Sequence, residues 1–198
     1  GPDQQKFIEI MDRNAAYIQS MIERYLNLSK LEKGEIVPDY RQFEFIEEAL
    51  LPVLHNLKII IEKNKKTLIE DKEALKSKFI INSDLELIKV ILNNLFSNAI
   101  KYSDDRGIIK YFVNYSDNNE YLILKVENSS IGLTDEETKN VFNKFGRLKN
   151  AITSKQKGTG LGLYNSREIL KILKGSICCE SEKGEYVRFV VEIPVNRK

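Results

Sequence analysis

In the segment I-K-V-I-L-N-N-L-F-S-N-A-I-K-Y (Ile88 to Tyr102), Asn94, Asn98 and Lys101 are spaced so that one helix face carries all three polar groups. Ile88, Ile91, Leu95 and Ala99 fall on the opposite face, which must be buried. A neutral amide oxygen is a hard ligand suited to Mg²⁺, a cation that takes few protein oxygens alongside water and phosphate. The lysine adds a point charge for phosphate. A second segment, K-G-T-G-L-G-L (Lys157 to Leu163), places Gly158, Gly160 and Gly162 ahead of an amphipathic helix. Without Cβ atoms, the backbone amides of such a turn can approach anionic oxygens, and the positive end of the helix points at them. Lys149, Lys155 and Lys157 lie in the loop before it, a composition that suits a mobile lid. The chemistry the two segments could share is a grip on a phosphate chain and its metal.

Elements must be found that bring these segments together. The chain has 198 residues, 42% of them hydrophobic, enough for one ordinary core and a small appendage. Thirty-one basic against 29 acidic residues leave a formal charge of +2, which argues against a nucleic-acid partner. No apolar run approaches the ~20 residues of a spanning helix, and no signal-peptide pattern opens the chain, so a cytoplasmic location without membrane contact is expected. Gly1 and Pro2 read as the scar left by tag cleavage. Cys178 and Cys179, the only cysteines, sit in an apolar stretch and are expected to be buried, inert thiols.

From Phe7 to Leu31 apolar residues recur near every 3.5 positions, predicting one long bundle-forming helix, with a stop at Lys33-Gly34 and a domain boundary near residue 36. Phe43 to about Asn64 reads as a long amphipathic helix bent near Pro52. T-L-I-E and K-F-I-I-N, within residues 65–82, suggest a hairpin. Ser83 with Glu86 forms a capping box for the asparagine-bearing helix, and Thr134 with Glu137 forms one for a short helix reaching about Lys144. Ile108 to Tyr115 and Tyr121 to Glu127 should pair antiparallel, Gly162 to Leu173 should be helical, and Ile177 to Cys179 and Val187 to Ile193 should close the sheet. The sum is an α+β fold, a two-layer sandwich of a mixed sheet covered by three helices and preceded by one bundle helix.

Together with V-E-N-S-S-I-G-L (Val126 to Leu133), the two polar segments resemble, in order and spacing, the N box and the first and second glycine boxes of the sensor histidine kinase ATP-binding domain, of the GHKL or Bergerat type. The resemblance implies an ATP-binding catalytic domain over residues 37–198, with residues 3–36 as the second helix of a dimerisation and phosphotransfer hairpin. It further implies that Asn98 binds Mg²⁺, that Asn94 approaches the phosphates and metal, and that Lys101 and Tyr102 contact phosphate or nucleotide. Gly158, Thr159, Gly160, Leu161 and Gly162 would line the phosphates. V-F-N-K-F-G-R (Val141 to Arg147) is similar to the family's F box, with Phe145 near the lid, Phe142 in the core and Arg147 as a phosphate-stabilising cation.

The middle box departs from the expected D-x-G-x-G, in which the carboxylate accepts a hydrogen bond from the adenine amino group. Here the corresponding residues are read as Ser129, Ser130, Ile131 and Gly132. Loss of a charged hydrogen bond, ~1.5 to 3 kcal/mol, implies roughly ten- to hundredfold weaker binding. Ser130 would cost ~1 to 2 kcal/mol if the turn demands positive φ. Asn128, one residue away on a strand, is expected to face the other side.

By resemblance the chain is the C-terminal part of a sensor histidine kinase, transferring the γ-phosphoryl of Mg-ATP to a histidine for relay to the receiver domain of a response regulator, with a second protomer as partner. The parent could be membrane-anchored through upstream segments. The acceptor helix lies outside this sequence, so autophosphorylation by the fragment alone is not expected. A second reading, a pseudokinase acting by protein contacts with weak or no ATP binding, is motivated by Ser129 and Ser130. His55, the sole histidine, reads as a surface residue, and no Ser-His-Asp, Cys-His or zinc-ligand spacing supports a hydrolase or metalloenzyme.

Overall fold

A computed structural model of the chain describes Ser29, residues 33–145 and residues 160–196. The expected helix from Phe7 to Leu31 lies, Ser29 excepted, outside the described residues. Contacts divide the chain into two compact units, Gly1–Val37 and Pro38–Lys198.

The second unit opens with strand β1 (Arg41–Glu44), which pairs antiparallel with β3 (Ile80–Ser83). A helix does not start at Phe43, because that side chain alternates with its neighbours as a strand residue and pairs with Ile81 in the core. Glu44 ends the strand and accepts from Glu47 N, capping a π-helical turn (Phe45–Leu50) that runs into helix α1 (Leu51–Lys63). Pro52 sits in the first turn of α1, where a missing N–H costs nothing.

The two short runs that suggested a hairpin are both strands, yet they pair with other partners. Strand β2 (Thr67–Ile69) lies parallel to β4 (Ile108–Tyr115), whereas β3 joins β1. Just past β2, Asp71 accepts from Ala74 N through Oδ1 at 3.1 Å and from Val113 N of β4 through Oδ2 at 3.1 Å. One carboxylate therefore starts a 3₁₀ turn (Ala74–Lys76) and closes a ladder position beyond the end of β2.

Helix α2 (Leu85–Tyr102) is capped by Asp84 rather than Ser83. Ser83 is spent in the β1–β3 pairing, while Asp84 Oδ1 accepts from Leu87 N at 3.0 Å and Oδ2 from Asp39 N at 2.9 Å. Strands β4 and β5 (Tyr121–Ser129) then pair antiparallel as expected. The Thr134–Glu137 capping box is present, but its helix α3 (Asp135–Asn140) stops short of Lys144. Helix α4 (Gly162–Ile172), β6 (Ser176–Glu182) and β7 (Tyr186–Pro194) complete a five-stranded sheet of order β2-β4-β5-β7-β6, parallel only at β2–β4.

Ile88, Ile91, Leu95 and Ala99 are buried, so α2 lays its apolar stripe on the core and keeps its asparagines at the margin. The opposite face of the sheet carries a charge ladder: Glu127 on β5 takes Arg188 of β7 at 2.6 and 3.0 Å and Lys110 of β4 at 3.3 Å, and Arg188 also reaches Glu180 of β6 at 3.1 Å. Strand alternation places the adjacent cysteines on opposite faces, so Cys178 is exposed and Cys179 half-buried, not both buried. Burial still pushes both thiols upward, Cys179 to about 12, so neither is a ready thiolate near neutral pH.

Tyr111, fully buried and edge-on to Phe96, has a hydroxyl with no hydrogen-bond partner among the described residues. Burial, with help from Glu70 and Asp71, pushes it up to about 12. We expect Tyr111→Phe to raise stability by ~1 kcal/mol, since an orphaned buried hydroxyl is removed at little cost in packing. The folded state holds this proton while the unfolded state releases it near the ordinary value of 10.0, so the tyrosine's contribution is intact below pH 10 and declines toward pH 12. Urea unfolding across that window should show a shallower decline in the Phe variant. An unchanged slope, or a loss of stability at pH 7, would show that the hydroxyl is satisfied.

Candidate nucleotide site

Helices α2 and α4 meet at Asn94. Its Nδ2 donates to Gly162 O at 3.2 Å and to Ser166 Oγ at 3.1 Å, and Ser166 Oγ donates to Gly162 O at 3.0 Å. A Cβ on Gly162 would lie 3.3 Å from Asn94 Oδ1, so the glycine leaves that oxygen its space. Gly160 turns the chain into α4 with φ +70, a conformation that favours glycine, and buried Leu161 caps the helix, its carbonyl accepting from Asn165 N. The asparagine helix and the end of the glycine turn, 68 residues apart in sequence, are thus joined directly.

Asn98 lies one turn beyond Asn94, half-buried, and its side chain has no hydrogen-bond partner among the described residues. Lys101 Nζ folds back to donate to Tyr102 Oη at 2.8 Å and stands 4.5 Å from that ring's centre. The two form a pair of their own, so contact with a phosphate requires Lys101 to swing out. Phe142 is in the core, edge-on to Phe189, whereas Phe145 is 59% exposed. Arg147, Gly158, Thr159 and the loop lysines Lys149, Lys155 and Lys157 lie outside the described residues.

The Ser129 side chain is committed within the fold. Its Oγ accepts from Ile108 N at 2.9 Å and its carbonyl accepts from Asp104 N at 3.0 Å, stitching β5 to the turn after α2. Gly107 of that turn must be glycine, because a Cβ would come 2.7 Å from Ser129 Oγ. Gly132 fixes the register of the box: it has φ +78, and a Cβ there would come 2.6 Å from Glu182 O. Counting the D-x-G-x-G spacing back from Gly132 places its first position at Asn128. Asn128 follows Leu122, Leu124 and Val126 on the buried face of β5, is 3% exposed, and donates through Nδ2 to Ser129 O at 3.2 Å. A carbonyl only accepts, so Oδ1 is the amide atom left to receive a hydrogen bond.

Ser130 carries no left-handed strain, because its φ is not positive, and its Oγ accepts from Gly132 N at 3.1 Å. The cost expected for a non-glycine residue there does not arise. Sequence reasoning set Asn128 aside and passed over Ser166. Asn128 could be reached by counting from the glycine, and Ser166 as a polar residue on the buried stripe of α4, where Ile169 and Leu170 follow it.

The donor set fits a magnesium-bound polyphosphate. Among the described residues no group of three His, Cys, Asp or Glu side chains gathers for a metal, so a cation here must rely on amide oxygens and the ligand's own oxygens. Asn94 Oδ1 stands beside a bare glycine Cα, and the asparagine one turn on has an uncommitted amide. No helix among the described residues is long and apolar enough to cross a membrane.

Residues 83–197 match the family described as histidine kinase-, DNA gyrase B-, and HSP90-like ATPase, and the chain belongs to it. Within that family it is a histidine kinase ATP-binding domain. Sensor protein CiaH of Streptococcus pneumoniae is 34% identical over 115 residues, 58% of this chain and 26% of that protein. Sensor histidine kinase WalK of Bacillus subtilis is 24% identical over 193 residues, 96% of this chain and 30% of its own length. A solved structure of histidine kinase ThkA in complex with response regulator protein TrrA matches with TM-score 0.71 at 24% identity, covering 96% of this chain and 51% of that one, a likeness of fold. The chain spans less than a third of the length of the two relatives.

Proposed function

We propose that this domain binds Mg-ATP between α2 and the start of α4, and that its parent is a two-component sensor kinase that phosphorylates a histidine for relay to a response-regulator aspartate. The observation that carries the reading is the Asn94 amide, pinned by its nitrogen to Gly162 and Ser166 with its oxygen over a bare glycine. Bound Mg²⁺ supplies charge neutralisation along the phosphate chain. Asn94 and Asn98 would hold it through their oxygens. The N–H groups around Gly160, Leu161 and Gly162, with Gly158 and Thr159, would receive the phosphates. Lys101, Tyr102, Phe145 and Arg147 would close around them, and Gly132 would shape the purine end through its backbone. Asn128 would accept from the adenine amino group in place of a carboxylate. The names of CiaH and WalK support the sensor-kinase parent, and the ThkA–TrrA complex supports a response regulator as partner. A second kinase protomer would complete the parent, with residues 3–36 contributing to the hairpin between them. The pseudokinase alternative loses its motive once Ser129 is stitched to β4 and Ser130 is unstrained.

Calorimetric titration with Mg-ADP and Mg-GDP tests the reading. Asn128→Ala should weaken ADP roughly tenfold and erase the preference for adenine, since one hydrogen bond is worth ~1 kcal/mol or more. Ser129→Ala should leave affinity within about threefold, because that hydroxyl serves the fold. The reverse pattern would return the purine anchor to Ser129, and absence of binding by the unmodified chain would sink the proposal.

A further inference from the structure

We infer that Ser166 is a positioning residue that, together with the Gly162 carbonyl, holds both hydrogens of the Asn94 amide and leaves its oxygen to the cleft, making Asn94 an acceptor for the metal side of the ligand rather than a donor to phosphate. This rests on the nucleotide reading above and adds a residue and a polarity to it. The assignment of the amide does not depend on a guess about its two ends. Gly162 O is a carbonyl oxygen and only accepts, so the amide atom at 3.2 Å from it must be Nδ2. Ser166 has one hydroxyl proton, and it goes to Gly162 O at 3.0 Å, the helix carbonyl four residues back. Toward Asn94, at 3.1 Å, the hydroxyl is therefore left as an acceptor.

Both Nδ2 hydrogens are then consumed, and no donor remains to meet an anion. Oδ1 is held at 3.3 Å from where a Gly162 Cβ would stand, on the side the glycine keeps open. An oxygen presented there attracts a cation or its bound water and repels a phosphate oxygen. Remove the Ser166 hydroxyl, and the amide keeps one bond to Gly162 O and gains a free N–H that can turn toward phosphate.

The test combines a ligand-free and a ligand-bound reading on the full chain. In ¹⁵N-resolved NMR without nucleotide, the Asn94 side-chain NH₂ protons should be shifted and protected in the unmodified protein and in Ser166→Thr, and should lose protection in Ser166→Ala. Calorimetry then compares ADP with excess Mg²⁺ against ADP in EDTA at matched ionic strength. Ser166→Ala should cut the Mg²⁺-dependent gain in affinity about five- to tenfold, with Mg²⁺-free affinity unchanged within about twofold and Ser166→Thr close to the unmodified protein. In an Asn94→Ala background, Ser166→Ala should add nothing. The inference is overturned if Mg²⁺-free and Mg²⁺-bound affinities fall together, if the two substitutions add, or if the NH₂ protons are unprotected from the outset. If those protons are protected and ADP binds under neither condition, the nucleotide reading fails instead and takes the metal role with it.

Discussion

Asn98→Ala should weaken Mg-nucleotide binding about 30- to 100-fold while leaving stability within ~0.5 kcal/mol of the parent. The two halves of that expectation have separate physical grounds. On the stability side, the Asn98 amide has no hydrogen-bond partner among the described residues, and its neighbours Leu95 and Ala99, not Asn98 itself, fill the core. Alanine also suits a helix interior better than asparagine. On the binding side, an oxygen one turn from Asn94 on the same half-buried face is placed to complete the metal's ligand set together with the phosphates. Calorimetry with Mg-ADP, set beside urea unfolding of the same preparation, reads both. A variant that unfolds early and binds normally would mean that Asn98 serves the helix and not the ligand.

Glu127→Ala should do the opposite, costing about 3 kcal/mol of folding stability with little change in ligand affinity of the folded fraction. The Glu127 carboxylate is 11% exposed and receives Arg188 twice and Lys110 once, so its removal takes an anion from two cations on the sheet. Arg188 keeps Glu180, which holds the loss toward the lower end of the range for broken buried pairs. The double variant Glu127→Ala with Arg188→Ala should recover part of the loss, because only Lys110 is then left without the carboxylate it paired with. A shift in urea midpoint at constant m-value is the measure. A loss under 1 kcal/mol would mean that the ladder is screened by water like an ordinary surface pair.

These two residues also show what the sequence could and could not convey. Asn98 was legible because helical spacing alone puts Asn94, Asn98 and Lys101 on one side and Ile88, Ile91 and Leu95 on the other, and local periodicity survives into the structure. Glu127 was not, since its partners come from strands whose pairing is decided far along the chain. The same limit explains the false hairpin: β2 and β3 are near in sequence, but each is claimed by a more distant strand. Helix starts failed by one residue where two capping types were adjacent, because only the pairing of Ser83 with Arg41 leaves the cap to Asp84. The choice of Ser129 over Asn128 in the middle box has another cause. Residue type drew attention to the serines; the spacing back from Gly132 was legible, but the packing of Glu182 that demands a glycine there was not. The partnership of Lys101 with Tyr102 is likewise a tertiary fact that side-chain inventory could not supply.

Asp71 has one further effect, on how copies of this chain can meet. Strand β2 covers β4 only from Ile108 to Lys110, which leaves the rest of that rim as the place where a foreign strand could add itself. Because the Asp71 carboxylate holds the Val113 N–H, an incoming backbone would have to evict a charged acceptor before its first bond could form. Growth of the sheet at this rim is thereby discouraged, which leaves the edge at β6 and the faces of the domain as the places for copies to meet.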